Sequence, residues 1–489
     1  MQGAGSETAS ADRYAGWTAA AIAGLTALRL LWLALSPADL YPDEAQYWFW
    51  AKHLAFGYYS KPPLVAWLIA LTTALFGDGE FAVRLAAPLL HAAAAALVYA
   101  IAARLYDRRV AMWAAAAYAT LPGTSISAFI ISTDAVLMPC WAAALYGFVR
   151  AREPGGGGWW ALVGIAFGLG LLAKYAMAYW PICAVLALAW NRARPRDYAG
   201  LGAALLLGIA LYLPNLWWNW SHGFVSYLHV RDNAALGRSL FHPQSLAAFV
   251  AAQFGVFGPV FFAGLVALAA TPRNLAEPRA RLLACFAFPV LALLALVALA
   301  SHAEPNWAAP AYVAASPLVV AWGLRRGWRR AVAASIALNL AAALVVFGLG
   351  PAAAALGHPL PGKTDPLHRL YGWRRLGEQV SARLAAHPGA KLLADDREVL
   401  AALIYYVRPH PFDAAIWEPL GNVPDQWALT NNLASHIGED FLAVTDLGHG
   451  DLMAREFAEF IPLGTITISP GPGGSRTYRL YLGRGYRGK

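Results

Sequence analysis

The chain has 489 residues, 59% hydrophobic and 13% charged, with a mean hydropathy of +0.47. A soluble protein of that length needs far more charge to cover its surface, so the composition excludes a soluble globular enzyme and points to a polytopic membrane protein. The net charge of +9 raises the question of a nucleic-acid partner, but the arginines sit in short links between apolar segments, the positive-inside pattern rather than a binding face.

In chain order, apolar segments fall near 15–36, 80–103, 110–130, 134–150, 159–175, 177–190, 199–219, 245–270, 281–300, 307–324 and 331–350, eleven candidate membrane helices. The first run, Trp17 to Leu35, is about long enough to span a bilayer. A leader cleaved near Ser36-Pro37-Ala38 is the weaker reading, because the run is long for a signal sequence. The stretch 62–76 is short and opens with two prolines, and reads as an interfacial or partly re-entrant helix. With the N-terminus cytoplasmic, the even links collect Arg104, Arg108 and Arg109; Arg150 and Arg152; Arg192, Arg194 and Arg196; Arg273, Arg279 and Arg281; and Arg325, Arg326, Arg329 and Arg330. The opposite links hold Lys52, Lys61, Arg231 and Arg238, with Arg84 and Lys174 near span ends. Counting 62–76 as a span reverses every later loop and breaks this asymmetry. The expectation is therefore a multi-pass bacterial inner-membrane protein with eleven spans, an external first loop (37–79) and an external C-terminus.

Residues 1–350 form the expected transmembrane domain. Beyond Gly350 the pattern changes: helical stretches (Arg374–Ala386, Asp396–Tyr406) alternate with strand-like ones (Lys391–Ala394, Phe441–Val444, Tyr478–Leu482), predicting a small α/β domain over 351–489, periplasmic by parity. Cys140, Cys183 and Cys285 all lie in apolar segments and read as small core residues rather than a disulfide framework. No internal repeat and no phosphate-binding glycine motif is visible, which argues against a nucleotide-driven pump.

The unusual polar residues converge on the outer face. Asp43 and Glu44 follow Pro42 in the first loop, and Lys61 precedes Pro62-Pro63. The acids have two readings: favourable partners of a helix dipole, or a general base and a carboxylate that binds the acceptor or a metal. Lys61 either snorkels to the interface or pairs with a lipid phosphate, and Lys174 has the same two readings. Asp134 follows Ser132-Thr133 at the start of a span, where capping competes with a carboxylate facing an outward cavity. Asn215, Asn219, His222 and Arg231 lie in one outer link, Glu304 and Trp307 in another. Trp48, Trp50, Tyr58, Tyr59, Trp217, Trp218 and Trp220 read mostly as an interfacial belt, with a few, among them Tyr47 and Tyr59, available to line a substrate pocket.

These motifs resemble the bacterial glycosyltransferase family 39-like membrane enzymes of the GT-C superfamily, relatives of the protein O-mannosyltransferases and the lipid A aminoarabinose transferase. The resemblance rests on Asp43-Glu44-Ala45-Gln46-Tyr47-Trp48, Gly57 through Leu64, Phe76-Gly77 with Arg84-Leu85, Ser132-Thr133-Asp134-Ala135 and Gly168-Leu169 through Lys174-Tyr175. It continues in Pro214-Asn215 with Asn219, His222 through Ser226, Gly255 through Pro259 and Asn306 through Pro310, and covers roughly residues 15–320. It implies a GT-C-like fold and a sugar donor carried on polyprenyl phosphate. It also implies an outward-facing site, inversion at the anomeric carbon, an essential acid at Asp43, a second acidic position at Asp134 and a phosphate-holding position at Lys61. Lys174 and Arg231 are further candidates for the phosphate. The acceptor is an envelope glycan, lipid or protein. No cofactor is required by this chemistry, and a divalent metal is compatible with the acids but not expected. A flippase for lipid-linked glycans remains the alternative, although it predicts matched broken helices in two halves, which the sequence does not display.

Overall fold

The computed structural model describes residues 2–233, 241–418, 425–446, 448–471 and 474–488. Arg238, one of the outer-link basic residues, lies outside them. Contacts divide the chain into two compact units: Met1–Leu35, Lys61–Val65 and Arg84–Ala343, and Ser36–Ser60, Ala66–Val83 and Leu344–Lys489. Most of the first loop, 37–79, thus packs in the same unit as the C-terminal domain, whereas its place in the chain groups it with the membrane helices.

The first unit is helical. Among the described residues, seven helices are long and apolar enough to cross a membrane: Arg13–Leu35, Glu80–Leu105, Gly156–Ala173, Pro195–Ser221, Pro278–Ala300, Pro305–Arg325 and Arg329–Ala355. Each matches an expected segment, but the count of eleven is not reproduced. The segment 110–130 is two helices, Arg108–Thr120 and Pro122–Ser127, because Pro122 has no N–H to continue the first. The segment 245–270 breaks likewise into Pro243–Val256 and Pro259–Ala269, where Gly258 adopts a φ of 87° ahead of Pro259. The segment 177–190 yields only Tyr179–Trp190, and 134–150 becomes Thr133–Ala151 with Pro139 inside it. The stretch 62–76 folds as the helix Leu64–Phe76.

Close helix contact in this unit depends on small residues. A Cβ on Gly164 would meet the Ala204 carbonyl oxygen at 2.7 Å, and one on Gly168 the Gly208 carbonyl oxygen at 2.8 Å. Helices Trp159–Ala173 and Pro195–Ser221 therefore touch backbone to backbone, the packing that small-xxx-small spacing allows where hydrophobicity cannot drive helices together. The cysteines are free, with Cys183 and Cys285 buried.

In the second unit a five-stranded sheet comprises β1 (Lys391–Ala394), β2 (Ala415–Ile416), β3 (Phe441–Thr445), β4 (Phe457–Gly471) and β5 (Gly474–Tyr486) in the order β2-β1-β3-β5-β4. β1 pairs in parallel with β2 and β3, while β5 runs antiparallel to β3 and β4. The α/β expectation holds for both helices (Trp373–Ala385, Arg397–Tyr406) and for β1, β3 and β5; β2 and β4 were not read. Leu393, Trp417, Phe441, Met453, Phe457 and Tyr486 form the core of one sheet face. The first-loop helix Pro42–Lys52 packs on Arg397–Tyr406: the Trp48 and Tyr405 rings meet edge-on at 4.9 Å, and the Leu40 N–H donates to the Tyr406 hydroxyl at 2.7 Å.

Candidate active site

Helix Pro42–Lys52 starts where Tyr41, with extended backbone, hands over to Pro42, whose missing N–H costs nothing at the first helical position. Both acids fall in the first turn, but their environments separate them. Glu44 is fully buried and its Oε2 accepts the Tyr41 N–H at 2.9 Å, closing the helix start. That contact gives Glu44, expected among the catalytic acids, a structural role at the helix start. Asp43 keeps a side-chain exposure of 40% and receives Arg397 Nη1 at 2.8 Å. The same Nη1 donates to Gln46, one turn further along the helix. Burial works against the Arg397 charge, but Asp43, Glu398 and Tyr47 outweigh it and hold the guanidinium above its ordinary range.

The aromatic residues of this loop are core rather than belt. Trp48, Trp50 and Tyr58 are buried, with Trp50 and Tyr58 stacked at 4.5 Å. Tyr47 is also buried, 5.1 Å from Trp50, and the Tyr59 N–H donates to Gln426 Oε1 at 2.8 Å. Trp217 and Trp220, by contrast, are well exposed, as a belt requires.

The first unit holds a second polar centre. Asp134 enters the first turn of helix Thr133–Ala151, and Lys174 terminates Trp159–Ala173 in extended conformation. Lys174 Nζ meets Asp134 Oδ1 at 2.7 Å, with side-chain exposures of 15% and 10%, and Asn306 Nδ2 donates to Asp134 Oδ2 at 2.8 Å. Asp134 and Asn306 line a cavity of about 380 Å³ whose walls include Ile126, Ile130, Met138, Val256 and Tyr312. His91 lines it as well, with Nε2 2.9 Å from Ser127 Oγ. A charged pair at the edge of an apolar cavity suits a ligand with an anionic head and a hydrocarbon tail.

The remaining candidates disperse. Asn215 and Asn219 are fully buried, with Asn219 Nδ2 donating to Asn215 Oδ1 at 3.2 Å, and Tyr227 links their helix to Tyr175: its hydroxyl is 2.6 Å from that of Tyr212 and its ring 5.1 Å from Tyr175. His222 closes its helix, stacked on Trp218 at 4.1 Å with Nδ1 2.8 Å from the Trp218 carbonyl oxygen. Arg231 is exposed and paired with Asp232, and Glu304 is exposed and paired with His302. Trp307 follows Asn306 in the short turn Pro305–Ala308, and Lys61 lies between the helices Pro42–Lys52 and Leu64–Phe76, half-buried. Two residues that sequence reasoning missed are Arg397 and His91. Arg397 lies 354 positions from Asp43, and nothing local marks it among the many arginines; His91 sits in an alanine-rich helix, and its polar neighbours, among them Ser127, are brought by folding. Among the described residues, no three His, Cys, Asp or Glu side chains are arranged to hold a metal ion.

Comparisons with known proteins complete the assignment. Residues 60–218 match the family model described as dolichyl-phosphate-mannose-protein mannosyltransferase. The chain is 33% identical over 429 residues to the lipid A galacturonosyltransferase RgtD of Rhizobium johnstonii, covering 87% of this chain and 90% of that protein. It is 33% identical over 198 residues, 35% of each chain, to the undecaprenyl phosphate-alpha-4-amino-4-deoxy-L-arabinose arabinosyl transferase of Pseudomonas aeruginosa. The crystal structure of ArnT from Cupriavidus metallidurans in the apo state shares the fold with a TM-score of 0.68 at 16% identity, over 96% of this chain and 98% of that one. At 33% identity over 90% of the galacturonosyltransferase, and with helices long and apolar enough to cross a membrane, the chain belongs to the family 39-like membrane glycosyltransferases of the GT-C superfamily.

Proposed function

We propose that this glycosyltransferase moves a sugar from a polyprenyl-phosphate donor to lipid A or another lipopolysaccharide sugar on the periplasmic side of the inner membrane, with inversion. The observation that carries the reading is the Lys174–Asp134–Asn306 network at the edge of a 380 Å³ apolar cavity, in a chain 33% identical to a lipid A galacturonosyltransferase. The name of the arabinosyl relative supports undecaprenyl phosphate as the donor carrier. The excess of arginines in alternate links supports a cytoplasmic N-terminus, with the first loop and C-terminal domain in the periplasm.

In this reading the acceptor oxygen attacks the anomeric carbon as the bond from that carbon to the phosphate oxygen breaks, releasing polyprenyl phosphate. Lys174 has three donors and spends one on Asp134, leaving others for the charge that grows on the leaving phosphate; Lys61 contributes a second cation. Asp43, held by Arg397, orients and deprotonates an acceptor hydroxyl. Glu44, His222, Arg231 and Glu304, each with a local partner, are given no step in this reading. No step requires a metal.

The test is mass spectrometry of lipid A and core glycan from a deletion strain, complemented with wild type or with Asp43→Ala. Loss of one sugar, restored by wild type alone, is expected. An unchanged glycan profile overturns the assignment, and restoration by Asp43→Ala overturns the role of Asp43.

A further inference from the structure

The second unit contains a cavity unconnected with any role assigned so far, about 200 Å³ in volume, walled by Tyr41, Trp373, Asp446, Arg476 and Tyr478 among others. Its composition is unusual for a gap in a small domain. Arg369 lies over the Tyr41 ring at 4.8 Å and faces Glu398 at 3.6 Å, so this pair largely neutralises itself. Arg476 lies over the Trp373 ring at 4.9 Å. Asp396 spends Oδ1 on the Glu398 and Val399 N–H groups, capping helix Arg397–Tyr406.

Two buried polar atoms lack partners among the described residues. Tyr478 is 0% exposed and its hydroxyl makes no hydrogen bond. Arg476 Nη1, the buried end of a half-buried side chain, lies beside that hydroxyl and acts on it electrostatically, with no well-formed hydrogen bond of its own. A buried donor left unmade carries its full desolvation cost, so native proteins rarely keep one without use. On the other wall, burial together with the neighbouring Asp396 and Asp395 raises the Asp446 carboxyl above its ordinary range, against the pull of Arg476.

The charges define the ligand. An anion would face Asp396, Glu398 and Asp446; a cation would face Arg369 and Arg476. A neutral polyol satisfies both walls, because each hydroxyl donates to a carboxylate and accepts from a guanidinium or a tyrosine. The volume, below the roughly 300–1,000 Å³ of sites for drug-sized ligands, fits a single ring. Location decides which sugar: Tyr41 and Pro42 in the wall immediately precede Asp43, and Asp396 and Glu398 flank Arg397, the partner of Asp43.

We propose that this cavity is an acceptor subsite that binds one neutral pyranose ring of the acceptor glycan, with Tyr478, Arg476 and Asp446 as its hydrogen-bonding groups. The inference rests on the transferase reading for the word acceptor, but its binding test does not.

The test is saturation-transfer NMR on the purified full-length enzyme in detergent, without donor, using N-acetylglucosamine and methyl glucoside, with glucose 6-phosphate and glucosamine as charged controls. Saturable binding of the neutral sugars in preference to the charged ones is expected. Tyr478→Phe removes one hydroxyl and weakens that binding about 3- to 10-fold, the value of one hydrogen bond. It leaves thermal stability close to wild type, since the hydroxyl makes no well-formed hydrogen bond to the protein; a purely structural tyrosine would not show that split. Asp446→Asn weakens binding similarly. In transfer assays Tyr478→Phe raises the acceptor KM and leaves the donor KM unchanged. Failure of the neutral sugars to bind, meaning solvent alone fills the cavity, overturns the proposal. So does tighter binding of either charged control, or wild-type affinity in both variants. Sugar binding in a protein that transfers nothing would instead refute the transferase reading and leave the subsite standing.

Discussion

The Lys174–Asp134 pair offers the sharpest test, because its two charges are nearly enclosed. At 2.7 Å the attraction between them, at an effective dielectric near 20, is about 6 kcal/mol before desolvation is subtracted. Replacing Lys174 by Met leaves Asp134, with a side-chain exposure of 10%, without its cation and with Asn306 as its donor among the described residues. Breaking a buried pair from one side typically costs about 3–5 kcal/mol, since the stranded charge retains its desolvation penalty. Asp134→Asn costs less, because Lys174 at the helix end can turn its ammonium toward water. The double variant Asp134→Asn/Lys174→Met strands no charge and recovers most of the loss, so the coupling is at least as large as the Lys174→Met loss of about 3–5 kcal/mol. Thermal unfolding of the detergent-solubilised enzyme at one fixed scan rate ranks the four proteins, a precaution required where unfolding is irreversible. The expected order is wild type, double variant, Asp134→Asn, then Lys174→Met, with transfer lost in all three variants. A Lys174→Met protein as stable as wild type, or a double variant no better than the worse single, refutes the reasoning.

Arg397→Ala touches a pair in which both side chains are more than a third exposed, so the stability change is about 1 kcal/mol or less. Transfer falls far more, about 100-fold, if Arg397 fixes the position of Asp43; Arg397→Lys does not rescue it, since a point charge cannot serve Asp43 and Gln46 as the guanidinium does. A parallel decline in stability and rate would contradict this. Asp425 caps the helix Gln426–Thr430, and burial pushes its carboxyl up to about 6. The folded protein therefore holds a proton that the unfolded chain releases near pH 4, so stability falls as pH rises from about 4 to 6 and levels above that, by at most about 3 kcal/mol. Asp425→Asn keeps an acceptor for the cap; it should remove that slope and raise the melting temperature at pH 7.5, and a slope that survives would refute the assignment. Gly168→Val forces a branched side chain against the Gly208 carbonyl oxygen and should cost about 3 kcal/mol or more, read as lost expression and a lowered melting temperature.

How much of this was legible in the sequence depends on how local each cause is. The apolar spans and the strands β1, β3 and β5 follow from patterns within one segment, and they were read. The breaks at Pro122 and Pro259 also have local causes, yet hydropathy averages over them, which is why two interrupted segments read as continuous spans. The aromatic residues failed for a different reason. Trp48 and Trp217 look alike in sequence, but only the first is covered by an element from the far end of the chain, the helix carrying Tyr405.

Asp43 and Glu44 show the same division within one helical turn. The two adjacent acids have different partners. Glu44, three residues beyond Tyr41, reaches back to its N–H and is spent there. Asp43 lies one position earlier and cannot make that contact, so its carboxylate is left to Arg397 and solvent. The cap was predictable from spacing, whereas the arginine was not, because it lies 354 positions along the chain from Asp43. An acid whose neighbour already satisfies the helix start has no local structural duty, and a distant guanidinium that holds it half-exposed gives a reason beyond folding to keep it.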